Sequence, residues 1–544
     1  MVNKLNIEEC YLSFLALEEH VENEEYLKNS LEIERLKSAI SEARFYLNKL
    51  AIHDFKRIRE LQLTLEEDLT VFVGDNGFGK SSILESIAIA LSWLRSNIEK
   101  ENKPGAYIKL NEINNSDDVD YASISVNIKT KDLNTGVLIT KSKDGAQFSR
   151  TNDLFEIKKL ASIYRLLNKY IDNVSLPLMA YYSIIRSYAG GGVDKKKRAG
   201  KIKSSWSKFD VYNEMEFDRN DFTEFFQWLV FLNNRASHEK LNESQKTIDA
   251  LYSDVDNLKL TLSQLSNVSN IDKNVIRGLE SSLSEKISFL NSYSHGEIKE
   301  NKAISLYDKV IKTILAFLPE FEWIKLVYSD DDYILQLSKG GVKLDIQQLS
   351  QGEKAIFTLV GDLARRLSLL NPALDNPLLG YGIVLIDEID LHLHPQWQQT
   401  IIERLTTTFP NIQFVVTTHS PQILSTVNSR SVRILQKVEV DGQDELIVSH
   451  PDYQTKGVSN QDALLYGMKT DPIPHTKANE LLERYREYIE LNKYSDFEAL
   501  SLRKGLVEHF GEDHPLITEC DDLISVLKFK NKLKNRSEEN KGMK

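Results

Sequence analysis

A glycine-rich loop directly after a short apolar run limits the folds that are open to this chain. The loop reads GDNGFGKSS over residues 74–82; it follows LTVFV at 69–73, and the amphipathic segment SSILESIAIALSWL begins inside it. It matches G-x-x-x-x-G-K-[ST], a phosphate-binding loop between a buried strand and a helix. Its glycines let backbone N–H groups face phosphate oxygens, and the helix N-terminus adds a favourable partial charge. The sequence therefore predicts an α/β fold that binds a nucleotide.

The loop motif assigns a chemical role to particular side chains. Lys80 is expected to reach the β- and γ-phosphates of ATP, and the hydroxyl of Ser81 is expected to bind Mg²⁺. The predicted cofactors are therefore ATP and Mg²⁺. The nucleotide-binding residues predicted in the loop are Gly74, Asp75, Asn76, Gly77, Phe78, Gly79, Lys80, Ser81 and Ser82.

Two later apolar runs end in residues that suit nucleotide hydrolysis. GIVLIDEID at 382–390 is a strand pattern that ends in adjacent acids, and FVVTTHS at 414–420 ends in Thr-Thr-His. Because open α/β sheets bind ligands at the carboxyl ends of their strands, we expect Asp387 to hold Mg²⁺, directly or through water. Glu388 is expected to polarise the attacking water as a general base. His419 is expected on a strand beside that of Asp387, near the γ-phosphate. The predicted catalytic residues are Glu388, His419 and Lys80.

The composition narrows the possible partners. The formal net charge of −12 over 544 residues argues against a surface coated in basic side chains for nucleic acid. Any DNA contact has to be local, through KKKRAGKIK (195–203) or KFKNKLKNR (528–536), either of which could instead be a solvated loop or tail. Apolar stretches such as IVLI at 383–386 are too short to cross a bilayer, and the N-terminus has no signal core. With only Cys10 and Cys520, no disulfide framework is expected, and we predict a cytoplasmic protein without membrane contact.

Apolar residues at 3-4 spacing indicate two helices in the middle of the chain. They occur at 241–265 and again at 276–290, and the polar stretch SNVSNID (266–272) separates them. This pattern predicts an antiparallel helical hairpin, a short coiled coil, although two ordinary core helices would give a similar pattern.

A fourth motif, LSQGEK at 349–354, stands just before a helix-patterned run and could by itself be a simple helix cap. With the other three motifs and the inserted hairpin, however, the chain resembles the head domain of the RecF/SMC-like branch of ABC-type ATPases over roughly residues 47–430. The resemblance implies an ABC-type P-loop ATPase head, a mixed sheet flanked by helices, with a short antiparallel coiled-coil insertion and helical N- and C-terminal extensions. It also implies that Ser350 and Gly352, with Glu353 in the same motif, contact the ATP held by a second copy. Two ATPs would then lie between the heads of a head-to-tail homodimer.

The chain departs from the wider family at two places. NEINNSDDVD (111–120) stands where a magnesium-binding glutamine is usual, and Asn115 or Asp118 could substitute for it. The acids are followed by a Leu-His-Pro sequence of the kind found in overcoming-lysogenization-defect and PtuA-like ATPases. His392 and His394 could be mistaken for metal ligands there, but the resemblance places them in a dimer-facing loop.

The C-terminal region and PLMAYYSIIR at 177–186 resemble the PtuA-type ATPases of Septu and retron anti-phage systems. Members of that family work with a separate HNH endonuclease, PtuB, and in retrons also with a reverse transcriptase and its RNA–DNA hybrid. The resemblance implies that this chain dimerises around ATP, hydrolyses it slowly and controls a partner nuclease. No Toprim or His-Asn-His pattern follows His419, so no nuclease activity of its own is expected.

The sequence is also compatible with two other functions. The chain could be a stand-alone DNA-repair ATPase of RecF or SMC character, or a nucleotide-gated scaffold with negligible turnover. Arg186 could belong to the nucleotide site, to a DNA-facing surface or to a structural salt bridge.

The patterns divide the chain into five predicted parts. They are a helical N-terminal extension (1–46), an N-terminal head lobe with the phosphate loop (47–235), the coiled-coil hairpin (236–300), a C-terminal head lobe with the other three motifs (301–450), and a helical partner-docking region with a basic tail (451–544).

Overall fold

The computed structural model describes most of the chain and divides it into two compact units. The described residues are 7–20, 27–41, 45–130, 134–171, 174–183, 203, 205–213, 222–265, 273–293, 302–329, 332–440 and 443–542. The units are Met1–Ala463 and Leu464–Lys544. Arg186, the polar stretch 266–272 and all but the last residue of the basic tract 195–203 lie outside the described residues. The five-part division of the chain stays a prediction.

The secondary structure alternates strands and helices through the first unit and is helical in the second. The strands are β1 (Tyr46–Phe55), β2 (Ile58–Thr64), β3 (Leu69–Val73), β4 (Tyr121–Lys129), β5 (Asn134–Ser142), β6 (Leu178–Tyr182), β7 (Phe321–Ser329), β8 (Asp332–Lys339), β9 (Val342–Asp345), β10 (Gly382–Ile386), β11 (Ile412–Thr417), β12 (Val432–Val440) and β13 (Gln443–Ser449). The α-helices are α1 (Ile7–His20), α2 (Leu31–Ser41), α3 (Lys80–Glu99), α4 (Phe155–Tyr170), α5 (Lys208–Asn213), α6 (Phe222–Leu265), α7 (Lys273–Tyr293), α8 (Lys302–Phe317), α9 (Gln351–Leu370), α10 (Pro395–Gln398), α11 (Ile401–Thr408), α12 (Pro421–Leu424), α13 (Asn460–Asp462), α14 (Lys477–Glu490), α15 (Phe497–Phe510) and α16 (Pro515–Gly542).

A six-stranded sheet forms the centre of the first unit. Its strand order is β13-β12-β3-β11-β10-β6, and only the pairing of β13 with β12 is antiparallel. Every residue of β3, β6, β10 and β11 is buried, as expected of parallel strands that are covered on both faces. β11 lies between β3 and β10, so the predicted neighbourhood of the His419 and Asp387 strands is confirmed. The carboxyl ends of these strands meet at one edge of the sheet.

Two smaller antiparallel sheets complete the head. One has the order β2-β1-β4-β5, and along β4 buried and partly exposed residues alternate. The other is the meander β7-β8-β9. The strand predicted at 69–73 is confirmed as β3. The predicted mixed sheet flanked by helices is therefore confirmed, and the phosphate loop lies between β3 and α3. No helix within the described ranges is both long and apolar enough to span a membrane.

The helical hairpin consists of α6 and α7, and the first turns of α6 belong to the core of the first unit. α6 is 44 residues long and begins beside α9, where the rings of Phe225 and Phe357 lie 5.8 Å apart. Further along, α6 packs against α7, with Val255 almost fully buried and an ion pair between Asp254 and Lys286. Leu260 is 60% exposed, so the apolar seam is only partly covered. The predicted coiled-coil hairpin is thus a continuation of a core helix of the head.

The second unit has a small core of its own. α14, α15 and α16 pack around side chains that are at most 5% exposed: Leu482, Tyr485, Ile489, Ala499, Leu506, Ile517 and Cys520. Arg503 of α15 holds Asp521 of α16 with two bonds of 2.7 and 3.2 Å. The helical pattern predicted for this region is confirmed.

A buried carboxylate on α9 is expected to contribute strongly to stability. Asp362 accepts hydrogen bonds from Arg365 (2.7 Å), Arg366 (2.6 Å) and the Tyr182 hydroxyl (2.9 Å). Burial alone would raise the pKa of Asp362, but the two guanidinium groups outweigh it and hold the pKa at about 2. Asp362→Asn removes a charge that compensates two buried cations, which is expected to cost about 3–5 kcal/mol of unfolding free energy. The measurement is the thermal unfolding midpoint beside that of Asp375→Asn at an exposed site, and equal midpoints for both variants would contradict this role.

Candidate nucleotide-binding site

The phosphate loop is a backbone turn that depends on its glycines. Gly74, Gly77 and Gly79 have φ values of 151°, 82° and 86°, which side chains rarely tolerate. A Cβ on Gly74 would lie 2.6 Å from the backbone oxygen of Leu435 on β12. The Ile83 N–H donates to the carbonyl of Gly79 at 2.9 Å, so α3 starts within the loop. The loop therefore presents its backbone and the N-terminus of a 20-residue helix to the same space.

Lys80 is a buried cation among acids. Its side chain is folded along the loop, and Nζ donates to the carbonyl oxygens of Gly74 (2.8 Å) and Asp75 (3.0 Å). Burial lowers the pKa of Lys80, while the charges of Asp387, Glu388 and Asp75 oppose that shift. The lysine of the loop and both acids after β10 thus share one electrostatic environment.

The two acids have different surroundings. Asp387 is buried; its N–H donates to the carbonyl of Tyr182 (2.8 Å), and its Oδ1 accepts from the Thr417 hydroxyl (2.5 Å). Glu388 is partly exposed and has a φ of 44°, a backbone conformation that costs about 1–3 kcal/mol and is characteristic of functional sites. Asp387 is therefore fixed as a potential metal ligand, and Glu388 is held by a strained turn at the edge of the sheet.

His419 has a buried side-chain nitrogen close to the charge of Lys80. Its Nε2 makes no hydrogen bond within the described part of the chain. The backbone beside it is held by Asp390, which accepts from the Thr418 hydroxyl at 2.6 Å. Burial, and then the charge of Lys80, lower the pKa of His419, so the imidazole is neutral at neutral pH. A ligand with polar oxygens next to Lys80 would satisfy this nitrogen.

These observations fit ATP with Mg²⁺. The positive-φ glycine backbone of the loop, the buried Lys80 and the His419 nitrogen, which makes no hydrogen bond to any described residue, suit phosphate oxygens. Ser81, the second residue of α3, and Asp387 offer the hard oxygen ligands that Mg²⁺ prefers.

The LSQGEK motif forms the start of α9. Ser350 is its exposed N-cap and exchanges two hydrogen bonds with Glu353, of 2.7 and 3.3 Å. Lys339 also binds the Glu353 carboxylate at 2.6 Å, so this carboxylate serves the helix cap in a single chain. A Cβ on Gly352 would lie 2.5 Å from the carbonyl oxygen of His392. Across the described residues, no hydrogen bond or ion pair joins Ser350 or Glu353 to the phosphate loop.

The other candidates from the sequence have structural roles or lie at the surface. Asp118 accepts two bonds from Arg59 (3.0 and 3.2 Å), which lower the pKa of its carboxyl, whereas Asn115 is exposed. His394 caps α10 through its Nδ1, and His392 has a φ of 65°. The described residues contain no group of three or more His, Cys, Asp or Glu residues that could hold a metal ion.

Two residues near the site were missed from the sequence. Arg57 lies in the turn between β1 and β2, and its Nη1 is 3.2 Å from the position of a Cβ on Gly77, so a cation lies against the phosphate loop. The sequence does not reveal this contact, because it depends on how the β1–β2 hairpin folds back towards the phosphate loop. Thr417 was visible within FVVTTHS, but its contact with both acids depends on the β10–β11 pairing.

Comparisons with known proteins place this site in a family. Residues 46–424 match the model of the AAA ATPase domain. The chain is 34% identical over 502 residues to the Retron Vc95 probable ATPase of Vibrio cholerae, covering 91% of each protein. It is also 34% identical over 472 residues to the Retron Ec83 probable ATPase of Escherichia coli, covering 84% of this chain and 82% of that one.

Shorter similarities extend to other proteins. Septu protein PtuA of Bacillus mycoides is 34% identical over 143 residues, 26% of this chain and 19% of that protein. DNA replication and repair protein RecF of Leptospira interrogans is 29% identical over 174 residues, 32% of this chain and 43% of that protein. Among solved structures, the Smc head bound to the C-winged helix domain of ScpA is 14% identical with a TM-score of 0.39, covering 75% of this chain and 98% of that one.

Proposed function

The chain belongs to the retron- and Septu-type ATPases of the AAA ATPase domain family, and from that premise we propose that it is the ATP-binding and ATP-hydrolysing subunit of a cytoplasmic anti-phage defence complex. The observation that carries the proposal is that the phosphate loop, two acids and a histidine nitrogen without a hydrogen bond to any described residue meet at one edge of the central sheet.

Each side chain of the site has a role in hydrolysis. Bound ATP and Mg²⁺ supply the γ-phosphoryl group and the charge that neutralises its oxygens. Lys80 binds phosphate oxygens, and Ser81 with Asp387 holds the metal. Glu388 orients the attacking water and accepts its proton. The neutral imidazole of His419 donates an N–H towards the γ-phosphate.

We place a second copy of the chain across the nucleotide. Ser350 is exposed at the N-terminus of α9, where it caps the helix through its hydrogen bonds with Glu353 of the same chain. A helix N-terminus attracts phosphate, and the two hydrogen bonds between Ser350 and Glu353 stabilise the N-terminus of α9. Ser350 and Gly352 of one head would therefore complete the site of the other, with hydrolysis resetting the homodimer.

The second unit is our choice of docking surface for a partner HNH endonuclease. Its helices expose large apolar side chains: Phe497 is 90% exposed, Leu491 66% and Phe529 63%. Exposed apolar surface of this kind is typical of protein interfaces. The lysines at 528, 530 and 532 are exposed beside it on α16 and could make a local contact with nucleic acid, such as the RNA–DNA hybrid of a retron reverse transcriptase.

A tagged chain purified from cells that carry its native locus tests this proposal. Mass spectrometry and nucleic-acid analysis are expected to find an HNH protein, with or without a reverse transcriptase and a short RNA–DNA hybrid. A matched preparation of Phe497→Asp/Phe529→Asp is expected to lose the HNH protein and keep ATP binding.

Other outcomes would support the alternatives. If the chain purifies alone and binds DNA ends in the presence of ATP, a role in DNA repair is indicated, as in the name of its relative, DNA replication and repair protein RecF. ATP binding without measurable turnover would indicate a nucleotide-gated scaffold.

A further inference from the structure

We infer that Thr417 is the positioning residue for both acids of the ATPase site, an inference that rests on the proposed ATP hydrolysis. Thr417 is the last residue of β11 and is completely buried. Its single hydroxyl lies between the side chain of Asp387 and the backbone of Glu388. The phosphate-loop and acid motifs assign no function to this position.

The hydroxyl makes two bonds that fix each other's direction. It donates its proton to Oδ1 of Asp387 at 2.5 Å and accepts the N–H of Glu388 at 2.7 Å. Since a hydroxyl has one proton, donation to Asp387 leaves only lone pairs for Glu388. The bond from the Thr417 hydroxyl occupies Oδ1 of Asp387 and fixes the orientation of the carboxylate, so that Oδ2 is left as a potential ligand for Mg²⁺. One residue thus sets the rotamer of the first acid and the backbone of the second.

The turn at Glu388 needs such support. Its φ of 44° lies in the left-handed region, where a glutamate is held only by surrounding contacts. Thr417 supplies two of them, because its carbonyl also accepts the N–H of Ile389 at 3.0 Å. A valine at this position keeps the carbonyl contact and the buried shape and removes only the hydroxyl.

The neighbouring threonine shows that the arrangement is specific. Thr418 donates to Asp390 at 2.6 Å and accepts the N–H of Ser420 at 3.0 Å. The two threonine hydroxyls therefore bind different acids after β10. The Thr417 hydroxyl contacts Asp387 and Glu388, the two acids with proposed roles in hydrolysis. The Thr418 hydroxyl contacts Asp390 and Ser420, on either side of the loop that contains His419.

Three variants test the inference. Thr417→Val is the main one, Thr417→Ser restores the hydroxyl, and Thr70→Val is a matched control. Thr70 is equally buried on the adjacent strand β3, where its hydroxyl accepts the N–H of Glu66 at 3.0 Å, away from the acids. The measurements are kcat and KM for ATP, the Mg²⁺ concentration for half-maximal activity, and ATP affinity by fluorescence titration with and without Mg²⁺.

Thr417→Val is expected to lower kcat by about tenfold or more and to raise the required Mg²⁺ by about tenfold, with metal-free ATP affinity nearly unchanged. Thr417→Ser is expected to recover most of the activity, and Thr70→Val to match the wild type. A Thr417→Val protein with wild-type kcat and Mg²⁺ requirement would overturn the inference, as would equal loss in Thr417→Ser. A wild-type chain without turnover would refute the proposed hydrolysis, and the Mg²⁺ dependence of ATP binding would then still decide whether Thr417 positions Asp387.

Discussion

Lys80→Ala is expected to abolish ATP binding, with an affinity loss of about 100-fold or more by isothermal titration calorimetry. The lysine is the buried cation of the phosphate loop, and its charge is surrounded by Asp387, Glu388 and Asp75. Without it, phosphate oxygens would face these carboxylates with no buried positive charge from the loop. The same change would remove the bonds from Nζ to Gly74 and Asp75 that hold the loop.

Lys103→Ala is the matched control for this variant. Lys103 lies just beyond α3 and pairs with Glu99 near the surface, so its loss is expected to leave ATP binding unchanged. Thermal unfolding of both variants separates a lost ligand contact from a lost fold. Wild-type affinity in a folded Lys80→Ala protein would show that the nucleotide binds elsewhere.

Glu388→Gln is expected to separate ATP binding from hydrolysis. Glutamine keeps the size of the side chain and the backbone N–H that Thr417 holds, but it cannot accept the proton of the attacking water. Turnover is expected to fall by about 10²–10⁴-fold, whereas ATP affinity stays near that of the wild type. Single-turnover hydrolysis and calorimetry on the same preparation measure the two effects.

Glu403→Gln, at an exposed site on α11, controls for the loss of one negative charge. It is expected to hydrolyse ATP at the wild-type rate. If Glu388→Gln loses ATP binding as completely as Lys80→Ala does, the roles assigned to the acids after β10 are wrong.

Local sequence pattern was sufficient for the elements that form the site. Three strands of the site could be predicted because an apolar run stands next to glycines or polar residues in the sequence. They are LTVFV before the phosphate loop, GIVLI before the acids, and the strand before Thr-Thr-His. The His419 and Asp387 strands could be placed together because parallel strands of an open sheet deliver their ends to one edge.

Contacts between distant segments could not be predicted in this way. The role of Thr417 depends on the register of β10 against β11, and the position of Arg57 depends on a hairpin that folds back over the loop. The motif predicts Glu353 as a nucleotide contact, but it does not reveal that the carboxylate also pairs with Lys339 and with the N-cap of its own helix. The hairpin helix begins inside the head because its first turns are aromatic core residues that pack on α9, which spacing alone does not reveal.

The mass of ATP-bound Glu388→Gln in solution tests most directly whether two copies of the chain share each ATP site. The experiment compares Glu388→Gln with Glu388→Gln/Ser350→Asp by sedimentation velocity, with and without ATP and Mg²⁺. Aspartate is a good N-cap, so α9 stays capped while a negative charge faces the phosphates of the other copy. We expect ATP to double the mass of Glu388→Gln and to leave the double variant unchanged, although both bind ATP. Equal doubling in both variants, or no change of mass in ATP-bound Glu388→Gln, would contradict a site shared between two heads.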